Sequence, residues 1–130
     1  LVFGCGGGRA KIRRLEMGEA AGMYADKIIL TNDNPRDEEP NKIIQDIQEG
    51  IGKARETTKE ATDGKTQNQV EVIMDRPMAV AKAIQSARPG DIVLIAGKGH
   101  ETYQEAGGRR YYMDDHELVR NAIACRKNYE

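Results

Sequence analysis

Short apolar runs at Leu1 to Phe3, Lys27 to Thr31, Val70 to Met74 and Asp91 to Ala96 alternate with longer stretches whose apolar residues recur every three to four positions. Such runs read as strands buried on both faces, and strands alternating with helices predict an α/β fold with a parallel sheet covered by helices.

The helical stretches differ in clarity. Leu15, Met17, Ala20, Ala21 and Tyr24 or Ala25 mark the apolar stripe of a first helix. Pro40, preceded by Asp37, Glu38 and Glu39, opens a second, with Ile43, Ile44, Ile47 and Ile51 as its stripe and Gly50 and Gly52 as its expected end. The polar stretch Lys53 to Gln69 reads as a frayed helix end, then a turn at Asp63-Gly64, and as the most mobile part of the chain. A third helix follows Pro77, burying Met78, Val80, Ala81 and Ile84 before Pro89-Gly90 stops it. A hairpin is expected over Thr102 to Met113 around Gly107-Gly108, and a last helix from about Asp115 to Lys127 packs Leu118, Val119, Ala122 and Ile123.

At 130 residues the chain is one domain's worth of protein. Its 20 Lys and Arg against 21 Asp and Glu give a net charge of -1, so no global field draws in nucleic acid. No apolar run approaches the roughly 20 residues needed to cross a bilayer; a membrane partner is not expected and a cytoplasmic location is. Cys5 and Cys125 stand far apart without paired spacing or a histidine cluster, and read as reduced thiols rather than zinc ligands. The chain opens without Met inside an expected strand, which suggests that something precedes it.

In a doubly wound sheet the ligand site lies beyond the carboxyl ends of the strands. The unusual residues follow the strands: Gly4-Cys5-Gly6-Gly7-Gly8-Arg9, Asn32-Asp33-Asn34-Pro35-Arg36, Asp75-Arg76 and Gly97-Lys98-Gly99-His100-Glu101. Neither glycine loop is a nucleotide fingerprint. Arg9 stands where the third glycine of G-x-G-x-x-G belongs, and no Ser or Thr follows Lys98. His100 reads as a loop-fixing residue rather than a general base, and Asp114-Asp115 as a helix cap rather than metal ligands. Arg36 is more telling, because a rigid Asn-Pro unit beside it holds a planar five-donor fork suited to a carboxylate.

These four motifs, with Glu39-Pro40 and Tyr103-Gln104, resemble in order and spacing the C-terminal domain of the Mur ligases over nearly the whole chain. The Asp33-Asn34-Pro35-Arg36 tetrapeptide is similar to that of members that add meso-2,6-diaminopimelate to UDP-MurNAc-L-Ala-D-Glu in making a peptidoglycan precursor. The resemblance implies a Rossmann-like, mostly parallel sheet flanked by helices, spanning residues 1–130 as a single amino-acid-binding domain. It implies ATP-dependent amide synthesis, in which a carboxylate becomes an acyl phosphate that the incoming amine attacks. ATP and Mg would be bound mainly by a central domain, and the UDP part by an N-terminal domain, neither of which is in this chain. No catalytic residue and no metal ligand is therefore assigned here, and alone the chain is expected to be inactive.

By the same resemblance, Arg36 and Asn34, with Asp33, would serve the end of diaminopimelate that does not react, the two former binding its carboxylate. Glu101 and the Gly97 carbonyl would accept from its ammonium, and Arg9 would steer the carboxylate nearer the reacting amine. Lys11, Arg13 and Arg14 would face the nucleotide. The family usually reads Gly-Gly-Asp-Arg-Asp and then Lys-Arg-Pro in the first loop, whereas this chain has Gly8 and Ala10 for the two acids and Leu15 for the proline. A lysine-adding or other Mur ligase domain, or a non-catalytic binding module, stays open as an alternative.

Overall fold

The computed structural model describes residues 1–59 and 68–127. The elements are β1 (Val2–Phe3), α1 (Lys11–Tyr24), β2 (Lys27–Leu30), α2 (Pro40–Lys59), β3 (Gln69–Val72), α3 (Arg76–Ser86), β4 (Tyr103–Ala106), β5 (Arg109–Tyr112) and α4 (Asp115–Lys127). The expected turn at Asp63-Gly64 lies outside the described residues.

β1, β2 and β3 form a parallel sheet in that order, with Val2 opposite Ile29 and Ile28 opposite Val70. Alternation along the strands divides the core. Phe3, Ile28 and Leu30 pack with Ile43, Ile44, Ile47 and Ile51 of α2, while Val2 and Ile29 pack against Ala79 of α3 on the opposite face. Behind α3, its Val80 and Ile84 meet Ala122 of α4. This is the expected sheet covered by helices.

The fourth apolar run behaves differently from the other three. Val2 donates to the Leu94 carbonyl (2.8 Å) and Ala96 to the Val2 carbonyl (2.9 Å), giving one parallel bridge, Val2 to Ile95, rather than a full strand. Ile92 stands 93% exposed, and Leu94 is exposed as well. The run still sits beside β1 on the side away from β2. The chain therefore builds outward from β1 through β2 and β3, then returns across the other face to β1's free side. β1 and residues 94–96 flank a topological switch point, where their loops open into a crevice.

Glycine corrects two helical expectations. Gly50 and Gly52 do not end α2, which continues to Lys59. Gly50 is instead where α1 crosses: a Cβ there would strike the Leu15 carbonyl oxygen, and one on Gly18 would strike that of Ile47. At this close approach α1 buries Arg14 and Gly18 beside the expected Ala21, and Met17 and Ala25 pack against the core as the stripe predicts, while Ala20 is exposed and Tyr24 is 82% exposed. On α3, Met78 also lies outside at 64% exposure, and Arg76 and Ala79 take buried places. Asp75 caps that helix, accepting from Met78 N at 2.9 Å. On α4, Ala122 is buried and Ile123 is 41% exposed.

Ala10 occupies the N-cap of α1 without a side-chain bond, and the first turn of that helix has no acid. This is the position where the resemblance has an acid. Ala10→Asp is expected to stabilise the chain by about 1 kcal/mol through capping, raising Tm by about 4 °C in a thermal melt. An unchanged Tm would show that the acid's place in this pattern is not a capping one.

Candidate functional site

The loop after β2 is the centre of the site. Asn34 and Arg36 hold left-handed φ values of 49° and 54° on either side of Pro35, conformations that non-glycine residues adopt rarely and that cluster at functional sites. The neighbouring loop fits tightly around them. Gly7 N donates to the Asn34 carbonyl at 2.9 Å, and a side chain on Gly7 would run into the Pro35 carbonyl oxygen. On the other side, Arg36 N donates to the Glu105 carbonyl and Gly107 N to the Arg36 carbonyl, both at 2.9 Å. The β4–β5 hairpin, whose two-glycine turn has positive φ at Gly107 and Gly108, is thereby zipped to the loop.

Arg9, Asp33, Asn34, Arg36, Gly97 and Glu101 all line one open cavity of about 380 Å³, together with Arg13 and Arg14. Arg36 Nε donates to Glu105 Oε2 (2.8 Å) and Nη1 to the Gly7 carbonyl (3.0 Å). Among the described residues Nη2 meets no acceptor, so the fork is aimed and one arm remains for a ligand. Asn34 Nδ2 lies 3.4 Å from Glu101 Oε2. Cations and amide protons therefore share the cavity with carboxylates, as the zwitterionic head of an amino acid requires.

The three basic residues of the first helix part company. Arg13 is exposed, as is Arg9. Lys11 lies outside the cavity lining and pairs with Glu49 at 3.3 Å. Arg14 is buried and serves the fold: its guanidinium donates to Glu38 (2.6 and 2.8 Å), Asp46 (2.9 Å) and the Gly6 carbonyl (3.1 Å). Arg14 lines the cavity, and its charge is already met by these anionic partners. Its hydrogen bonds, joined by the Gly8 N–H, hold the Glu38 carboxyl down to about 2. Burial pushes the Cys5 thiol up to about 11, consistent with an inert thiol, and Cys125 is a free exposed cysteine.

Arg76, which follows β3, is also structural. It bridges Asp115 through two 2.8 Å bonds and donates to the carbonyls of Asn32 and Ala96. Asp115 is thus an ion-pair partner rather than a cap, whereas Asp114 does accept from His116 N at 2.9 Å. Among the described residues no three of His, Cys, Asp and Glu converge as ligands for a metal ion, and no helix is long and apolar enough to cross a membrane.

Three residues of the site have no role assigned from the sequence: Lys98 and Gln104 stand within the motifs named above, and Glu105 in none of them. Lys98 is buried, and burial lowers its pKa against the pull of Asp33. Buried Gln104 accepts from Asn34 N (3.3 Å), and Glu105 aims Arg36. The sequence signals for them are Gly97-Lys98-Gly99-His100-Glu101, which contains Lys98, and Tyr103-Gln104 within the hairpin; Glu105 carries none.

Comparison with known proteins agrees with this geometry. Residues 1–99 match the family described as Mur ligase, glutamate ligase domain. The chain is 47% identical over 122 residues to UDP-N-acetylmuramoyl-L-alanyl-D-glutamate--2,6-diaminopimelate ligase of Aquifex aeolicus, and 44% identical over 124 residues to that of Chlorobium phaeobacteroides. These alignments cover 94% and 95% of this chain but only 23% and 22% of the relatives, so the chain spans under a quarter of their length. A solved structure of a ligase of the same name superposes with a TM-score of 0.79 at 41% identity, covering 97% of this chain and 23% of that one. With this match, this fold and these relatives, the chain belongs to the Mur ligase family, within its glutamate ligase domain.

Proposed function

We propose that this chain is the C-terminal, amino-acid-binding domain of an ATP-dependent ligase that adds meso-2,6-diaminopimelate to UDP-MurNAc-L-Ala-D-Glu in the cytoplasm. The observation that carries this reading is the single cavity in which Arg36 and Asn34 stand with Glu101, Gly97 and Arg9. Diaminopimelate has two amino-acid ends, so one must be gripped while the other amine stays free. Arg36 Nη2 and Asn34 Nδ2 offer protons to the carboxylate of the held end, and Glu101 offers its carboxylate to the ammonium. Arg9, exposed and lining the same cavity, is the cation left for the carboxylate nearer the reacting amine.

ATP supplies the activation of the dipeptide carboxylate. Within this chain Arg9 and Arg13 are the exposed cations on the cavity that suit a phosphate, and no magnesium site is assigned to the described residues. On this reading a central and an N-terminal domain would complete the enzyme.

Steady-state kinetics of the complete ligase tests the reading. With meso-diaminopimelate and L-lysine in turn, kcat/KM is expected to favour diaminopimelate by at least about 30-fold, because lysine leaves the guanidinium without its anion. Equal values, or a preference for lysine, would overturn the substrate assignment in favour of a different Mur ligase.

A further inference from the structure

Lys98 does not line the cavity, yet its side chain is fully buried directly behind it. Its ammonium has three protons and three acceptors: Tyr103 O at 2.8 Å, Asn34 Oδ1 at 3.0 Å and Asp33 Oδ1 at 3.3 Å. Those acceptors come from the hairpin and from the loop after β2, while Lys98 itself belongs to the loop at the switch point. One buried cation therefore ties three chain segments together behind the site.

The consequence falls on Asn34. An amide side chain can present either its oxygen or its NH2 to a ligand, and only its partners decide which. Here Oδ1 is held by two groups that can only donate, the Lys98 ammonium and the Glu105 backbone N–H at 2.9 Å. The amide nitrogen is left to face Glu101 and the cavity. The loop geometry is tuned to the same arrangement: Gly97 has φ of 113°, and a Cβ there would strike Asp33 Oδ2, so the glycine is what lets Asp33 lie across to Lys98.

We propose that Lys98 is a positioning residue for amino-acid recognition: it fixes the Asn34 amide with its NH2 towards the cavity, making Asn34 an obligatory donor to the substrate carboxylate. This rests on the reading of the cavity as an amino-acid site and adds the group that sets its polarity. Without the ammonium, Oδ1 keeps only the Glu105 N–H, the amide is free to turn its oxygen to the incoming carboxylate, and attraction becomes repulsion.

The test is a double-mutant cycle in the complete ligase with Lys98→Met, Asn34→Ala and both together. Lys98→Met is expected to raise KM for the amino acid on the order of tenfold while KM for ATP and for the UDP-dipeptide moves less than about twofold, and the rise is expected to vanish in the Asn34→Ala background. Equal rises for all three substrates, or single effects that multiply in the double variant, would overturn the proposal and make Lys98 a merely structural cation. If the methionine variant does not fold, the same cycle run in an Asp33→Asn background, where Lys98→Met strands no buried carboxylate, carries the same readings. A wild-type enzyme that prefers an amino acid other than diaminopimelate would overturn the substrate assignment alone, since the same ratios measured on the preferred amino acid still decide the part played by Lys98.

Discussion

Arg36→Ala is expected to erase the preference for diaminopimelate over lysine, lowering kcat/KM for diaminopimelate by roughly 30- to 1,000-fold while leaving that for lysine nearly unchanged. The range corresponds to about 2–4 kcal/mol, the loss when a charged hydrogen-bonding fork is taken from a buried carboxylate. The geometry explains why the loss should appear in recognition and not in folding. Arg36 is aimed by Glu105 and the Gly7 carbonyl, but Glu105 also accepts from Arg110 at 2.9 Å and keeps that partner in the variant. No buried carboxylate is stranded, so the thermal melt should shift by only a few degrees. Arg36→Lys refines the reading: a point charge without the planar fork should recover part of the preference, not all of it. A variant in which both amino acids lose equally would show that Arg36 only shapes the loop.

How far the sequence carries this site depends on which contacts are local. The strand ends were legible because short apolar runs and the polar, glycine-rich or proline-containing loops after them alternate without ambiguity. Hence the four loops are legible in the sequence itself, and α4 lies at Asp115–Lys127 where its periodicity puts it. Charge was read less well than shape. Arg14 looks like a ligand-facing cation in sequence and Arg76 stands in a strand-end loop, and both are buried in ion pairs with carboxylates 24 to 39 residues away. The stripe of α1 holds at Met17, Ala21 and Ala25, which pack in or against the core, while Ala20 and Tyr24 stand outside and Gly18, which no apolar stripe names, is buried where α1 meets the backbone of α2. Lys98, Gln104 and Glu105 reach Asn34 across 64 to 71 residues, a separation at which periodicity carries no signal and the motifs give an order but not which side chains meet.

The largest effect on stability is expected at Arg76. Its side chain is wholly buried, pairs with Asp115 through two bonds, and satisfies the carbonyls of Asn32 and Ala96, thereby holding α4 to two of the strand-end loops that build the site. Arg76→Met removes every one of these donors and leaves Asp115 as a buried carboxylate without its cation. A cost of about 3–5 kcal/mol follows, read as a fall in the urea midpoint with little change in slope. The pair itself is a different matter from its breakage, because desolvating two ions offsets most of their attraction. Arg76→Met combined with Asp115→Leu should therefore regain much of the loss, though not the part due to the two carbonyls that still lack a donor. If the double variant is no more stable than the single, the loss comes from the two carbonyls left without a donor and not from the stranded Asp115. The amino-acid KM of the double variant then distinguishes stability from positioning: it should rise even where the fold is restored, since Asn32 leads directly into the loop that carries Asn34 and Arg36.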